Sequence, residues 1–259
     1  MSQPELKQPQ RFKMERAEAE ERAAVLLKQT DDLVAAYILD HPFTKRLQAC
    51  DLPREALQAA TLDWYLFHRP LAASFSRLYK RFIQICRTYT DIEEEYLERI
   101  SYELTRPTAG GRTLLMRRLV LTMGIPESQM NQTQPIGDLR RFIAFFGRLH
   151  SDGTFAEVVA GQFGSAFEPY ARLWCEALTK QCGLNKEDIQ YWELNSRLSQ
   201  EKTGGGALGT RSENAYLLRR VFEEGLTEGR SNWGMNYAAE MAVKLWAFLL
   251  RGYVRRFGL

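Results

Sequence analysis

Histidine is scarce in this chain: His41, His68 and His150 are the only three among 259 residues. That count alone nearly excludes a site built on several imidazoles. Cysteine is almost as sparse. Cys50, Cys86, Cys175 and Cys182 form no C-x-x-C pair, which suits neither a zinc site nor the disulfide framework of a small secreted domain. Reduced thiols and a cytoplasmic location are therefore expected. No apolar run approaches the roughly 20 residues needed to cross a bilayer, so membrane insertion is not expected. Met1 to Glu21 is charged and lacks the apolar centre of a secretory signal. Excess charge is missing too: 35 Lys+Arg against 32 Asp+Glu leaves +3, too mild for nucleic acid, which needs a concentrated basic face. Arg251, Arg255 and Arg256 read as a solvated helix end that complements the helix dipole. No G-K-[ST] is present, so a P-loop is excluded.

Strand-like alternation is also absent, and what remains is helical almost throughout. A charged helix is expected from about Gln10 to Leu39, ended by His41-Pro42. Asp51 is placed to cap a helix that opens at Pro53 and carries Trp64, Tyr65 and Phe67 to a break at Pro70. A further helix runs to about Arg87. Thr90-Asp91-Ile92-Glu93 reads as a capping box, and Gly110-Gly111 as a turn. The polar stretch from Pro126 to Gly137 reads as a loop, after which Asp138 can cap the next helix. One long helix is expected over Thr154 to Gln181, kinked at Pro169 and stopped by Gly183, with Asn185 capping its successor. Thr203 to Gly209 is the one low-complexity segment. In the last helix Met241, Leu245, Phe248, Leu249 and Gly252 form the expected core face. The reading is an all-α, single-domain bundle of nine or so helices, 35–259, preceded by a charged helical extension, 1–34.

Few residues are placed for chemistry. Gly204, Gly206 and Gly209 match G-x-G-x-x-G formally, but a helix precedes them where a dinucleotide site needs a strand. Carboxylates that could serve a metal pair are Glu98, Glu103, Glu168 and Glu193. No Glu-x-x-His pair accompanies them, and Glu98 and Glu103 lie about 140° apart around a helix, so charged surface is the favoured reading. Cys175 and Cys182 have no assignable base and read as structural. His150, before Asp152-Gly153, reads as a capping or surface residue.

Three segments carry a resemblance. The first is His41-Pro-Phe43 followed by Leu52-Pro-Arg-Glu-Ala-Leu-Gln58 and the Trp64-Tyr65 helix running into Arg69-Pro70. The second is Ser196-Arg-Leu-Ser-Gln200, and the third the closing helix with Lys244-Leu245-Trp246. Together they resemble the pyrroloquinoline-quinone synthase (PqqC) branch of the haem-oxygenase-like superfamily, which also holds the TenA thiaminases and non-haem di-iron oxidases. The resemblance implies a helical bundle around a central pocket. It further implies a metal-free oxidation by dioxygen of a small carboxylated aromatic or heterocyclic substrate.

By the same resemblance His41 and Arg197 lie at the pocket, His41 as acid or base and Arg197 on an anionic group. Tyr191 stands two residues from the position of the family tyrosine, which Glu193 occupies. Tyr65, Arg69, Glu168 and Glu193 are the candidate substrate-binding residues. The family histidine near Leu104 and the Asp-x-x-His after Gln200 are missing here, so no resident cofactor is expected. Homodimers are common in the superfamily. Three alternatives stay open: a non-catalytic binding or assembly protein serving a pathway partner, an iron-dependent oxidase using the four glutamates, and a TenA-like hydrolase using Cys175.

Overall fold

The computed structural model describes residues 12–135, 137–162, 166–196, 210–227 and 233–259. Among these residues there is no strand; twelve α-helices and one π-helical turn make the all-α fold. No described helix is long and apolar enough to cross a membrane. Helix α1 (Arg16–Val34) buries Ala19, Ala23, Leu26 and Val34, spaced to share one face. It continues through the π-helical turn Ala35–Leu39. His41 then caps α2 (Pro42–Gln48), its Nδ1 accepting from the Phe43 backbone N–H at 3.3 Å.

Helix α3 (Arg54–Thr88) runs 35 residues and passes Pro70 without the expected break. Pro70 is exposed, so the missing N–H costs one backbone bond on the solvent side. Buried Leu66, Phe67, Leu71 and Phe75 hold both flanks against the core. Asp51 does not cap this helix; it accepts from Arg46 Nε at 3.2 Å. The expected capping box at Thr90 does not form either. Helix α4 (Thr90–Leu104) begins at Thr90 itself, with no side-chain cap, because Glu93 is taken by the Tyr79 hydroxyl at 2.5 Å.

Beyond α5 (Gly111–Thr122), the stretch expected as a loop contains a short helix, α6 (Glu127–Gln132), anchored by buried Met130. Helix α7 (Gly137–Asp152) follows. The single long helix expected next is two. Helix α8 (Phe155–Ala160) opens with a reciprocal Thr154–Glu157 capping box. It stops at Gly161, where a Cβ would lie 2.6 Å from Leu149 Cδ2. Helix α9 (Phe167–Cys182) then starts afresh, with Pro169 harmless in its first turn. Asn185 caps the turn leading to α10 (Gln190–Ser196), accepting from the Glu187 and Asp188 backbone N–H groups at 2.8 and 3.1 Å. The chain closes with α11 (Thr210–Glu223) and α12 (Trp233–Phe257).

Helix α3 is the spine, with α4, α5 and α7 against it. Helix α12 lies on α7 and α8, α1 on α11, and α9 against α2 and α10. The buried face of α12 is Ala239, Ala242, Val243, Trp246, Leu250 and Tyr253. It is rotated from the expected one: Phe248 is exposed, with the Arg251 guanidinium 4.9 Å over its ring. Trp246 belongs to an aromatic cluster around Trp64, whose indole meets Phe67, Phe142, Phe167, Trp192 and Trp246 at centroid distances of 5.6, 6.4, 5.4, 5.9 and 6.0 Å. Trp174 stacks flat on Trp192 at 4.8 Å. Edge-on and stacked pairs of this kind contribute about 0.5–1.5 kcal/mol each beyond burial. Rings therefore fill the bundle interior around Trp64.

Candidate functional site

Four polar side chains from four helices meet beside this aromatic cluster. His68 lies on α3, Glu103 in the last turn of α4, Arg112 in the first turn of α5 and Tyr191 on α10. The turn between α4 and α5 makes the meeting possible. Gly111 holds φ +51° and packs so closely on α4 that a Cβ would lie 2.3 Å from the Glu103 carbonyl oxygen. Only glycine fits there, and the next residue, Arg112, pairs its guanidinium with the Glu103 carboxylate.

His68 Nε2 lies 2.7 Å from the Tyr191 hydroxyl, and its Nδ1 lies 3.7 Å from Glu103 Oε2. A proton on Nδ1 faces the carboxylate favourably, whereas a lone pair there would be repelled. This fixes the tautomer: Nδ1 carries the proton and Nε2 accepts from the Tyr191 O–H. Carboxylate, imidazole and phenol thus form a chain like the one that orients a catalytic base in hydrolases. Thr113 Oγ1 donates to the His68 carbonyl at 3.4 Å, tying α5 to α3.

Burial drives His68 down to about 4; Glu103 reverses this only in part and Arg112 adds to it. The imidazole is neutral at pH 7. Burial also pushes the Tyr191 phenol well above its ordinary range, so it stays protonated.

The residues singled out in the sequence are dispersed. Tyr191 is in the cluster. Tyr65 and Arg69 sit one helical turn apart on α3, the guanidinium 5.9 Å from the ring centroid. Glu168 is buried on α9 and paired with Arg172, whose Nε also donates to the Ser196 carbonyl at 3.3 Å. Glu193 lies on α10, two residues beyond Tyr191. His41 caps α2 and shares no hydrogen bond, ion pair or ring contact with these residues; burial, then Arg251, hold it below the usual histidine range. Arg197 and the glycine segment lie outside the described residues.

Glu98, Glu103 and Glu168 face Arg106, Arg112 and Arg172 respectively. No group of three or more His, Cys, Asp or Glu converges as metal ligands among the described residues. The glutamates do not fit an iron pair, which needs several uncommitted carboxylates around one point. Cys175 and Cys182 are half-buried, and burial raises the Cys182 thiol.

Sequence reasoning missed His68 and Arg112, and weighed Glu103 only as a metal-ligand candidate or surface charge. Glu103 is buried rather than surface charge, and His150 is buried too, its Nδ1 2.7 Å from Ser74 Oγ. The available signal was His68 itself, a polar residue directly following the apolar run Trp64-Tyr-Leu-Phe67.

A family model described as TENA/THI-4/PQQC matches residues 27–194. The fold is similar to that of a TenA homolog from Pseudomonas syringae pv. tomato str. DC3000, with TM-score 0.69 and 8% identity, covering 93% of this chain and 96% of that one. It is also similar to a TenA family transcription regulator from Silicibacter sp. TM1040, with TM-score 0.51 and 15% identity over 93% and 98% of the two chains. At these identities the structural likeness is one of fold. No curated protein matches the chain.

Proposed function

Because this chain belongs to the TENA/THI-4/PQQC family, we propose that it is a PqqC-like oxidoreductase acting on a small carboxylated aromatic or heterocyclic molecule. Dioxygen is the oxidant and no metal takes part. Two electrons and two protons leave the substrate, and dioxygen becomes hydrogen peroxide. The proton work falls to the buried cluster. As Tyr191 passes its proton to His68 Nε2, its oxygen takes one from a substrate O–H or N–H, and Glu103 stabilises the imidazolium that forms. Arg69, and Arg197 as the family resemblance implies, would hold the substrate carboxylates, since a guanidinium pairs with them bidentately.

The single observation supporting this reading is the 2.7 Å contact between His68 Nε2 and the Tyr191 hydroxyl, with Glu103 behind it. The test is peroxide formation by purified protein supplied with carboxylated quinone precursors under air. Removing a general acid–base group costs roughly 10²–10⁴-fold. Tyr191→Phe and His68→Gln should each lower the rate on that scale. Turnover that both variants leave intact would sink the assignment.

A second reading, a non-catalytic binding or assembly protein, has its own support: the rings packed around Trp64 occupy the interior in which a substrate would otherwise sit. It predicts no peroxide from any precursor.

A further inference from the structure

A cleft of about 590 Å³ opens between the second half of α3 and α7. Its wall on α3 carries Ser74 and Arg77, one helical turn apart, with Leu71 on the buried flank and Lys80 on the exposed one. Across from them α7 contributes Ile143, Gly147, His150 and Ser151. Gly147 is why the cleft exists: a Cβ there would meet nothing within 4 Å, so no side chain closes the space.

The chemistry of the walls is uneven. Arg77 and Lys80 are exposed and make no hydrogen bond or ion pair with any described residue. Arg81 is already committed: its guanidinium donates to the carbonyl of His150 and, at 2.7 Å, to that of Gly153, closing the C-terminal end of α7. Ser74 Oγ donates to the Leu71 carbonyl at 2.8 Å, so its contact with His150 Nδ1 at 2.7 Å is one it accepts. That leaves the other ring nitrogen of His150 as an acceptor with no partner among the described residues, on a side chain that lines the cleft and is 3% exposed. Two uncommitted cations at the rim, the apolar side chains of Leu71 and Ile143, and one acceptor on a side chain that lines the cleft form an amphipathic site. A concave space with a few placed polar groups is the usual form of a small-ligand site.

We propose that this cleft binds a small organic anion with a flat apolar body, carrying a carboxylate or phosphate group together with a hydrogen-bond donor. The anionic group sits on Arg77 and Lys80. The apolar body lies over Leu71 and Ile143, and the donor reaches the free nitrogen of His150. None of these residues belongs to the His68–Tyr191 cluster, so the site stands whether or not that cluster is catalytic.

The test is calorimetric titration of the full chain with 4-hydroxyphenyl phosphate and 4-hydroxybenzoate, with inorganic phosphate and neutral benzyl alcohol as comparators. At least one of the two aromatic anions should bind at one site, more tightly than inorganic phosphate and benzyl alcohol, and more weakly as salt is raised. The tighter of the two identifies the anionic group. An Arg77→Gln/Lys80→Gln variant should weaken binding by about tenfold or more, the loss expected when roughly 1.4 kcal/mol of contact is removed. Arg22→Gln, exposed on α1, should leave binding unchanged. Gly147→Leu should abolish binding by filling the opening while improving the helix propensity of α7. The proposal is overturned if neither aromatic anion binds or if inorganic phosphate binds as tightly as they do. Full affinity in either the double variant or Gly147→Leu overturns it equally.

Discussion

The Tyr253 hydroxyl donates to Asp63 Oδ2 at 2.9 Å, joining the N-terminal third of the α3 spine to the C-terminal end of α12. Burial raises Asp63 to about 6, although the Tyr253 hydrogen bond and the Arg256 charge both oppose the shift. A carboxyl whose folded pKa lies above its unfolded value stabilises the fold at low pH, and that contribution is lost as pH rises through 6. Asp63→Asn keeps an oxygen for Tyr253 and removes the charge. The variant should therefore melt higher than the parent at pH 7.5, and the difference should shrink to roughly half near pH 5 and vanish only below about pH 4, where the unfolded chain's carboxyl is protonated too. Melting curves at the two pH values check it.

The histidines act in the opposite sense. Burial lowers His68 and His150 to about 4 each, and His41 is lowered as well. Between about pH 6.5 and 4 the unfolded chain takes up protons that the folded chain refuses, so stability falls as pH falls through that window. At pH 5 the loss is on the order of 1–2 kcal/mol for each of His68 and His150. Asp63 offsets part of it, because it gains a proton on folding over much of the same range. Urea titrations from pH 7 to 4.5 should thus show a steeper decline in Asp63→Asn than in the parent. Equal slopes would mean that Asp63 is not raised.

The all-α class was legible because 3.6-residue periodicity is a local property repeated along the chain. Boundaries failed where tertiary contacts overrode a local signal. Pro70 reads as a breaker, but its ring faces solvent while buried neighbours fix both flanks. Glu93 reads as half of a capping box, but Tyr79 claims its carboxylate. The split between α8 and α9 depends on how closely Gly161 approaches Leu149. The polar cluster was hidden for a similar reason: His68 and Tyr191 are 123 positions apart, and nothing local in either segment announces the other. The Gly110-Gly111 turn was visible, but that it returns Arg112 to Glu103 became clear only from the packing.

That turn gives the sharpest steric prediction. Gly111→Ala places a methyl group 2.3 Å from the Glu103 carbonyl oxygen at φ +51°, so the turn must open and Arg112 must leave Glu103. Gly183 has a similar φ of +68° with nothing within 4 Å of a Cβ. Gly183→Ala should cost only the left-handed backbone penalty, about 1–2 kcal/mol. Gly111→Ala should cost clearly more, as overpacking adds roughly 1–3 kcal/mol. Denaturant unfolding of the two variants side by side separates steric from conformational cost. Equal losses would show that the close approach at Gly111 is not what constrains the turn.

Trp64 decides what the bundle interior is for. Its indole packs against six other rings, the His68 imidazole among them, and is 4% exposed, so Trp64→Ala should destabilise the fold by about 3–5 kcal/mol. Trp64→Phe keeps one ring, should cost less, and leaves a smaller apolar void. A void lined by rings admits an apolar probe when packing alone had filled it, so Trp64→Phe should gain thermal stabilisation from added benzene that the parent does not show. If the parent responds to benzene as strongly as the variant, the interior is already open to small molecules. That outcome would favour the oxidase reading, with the substrate body lodged among the rings beside His68 and Tyr191.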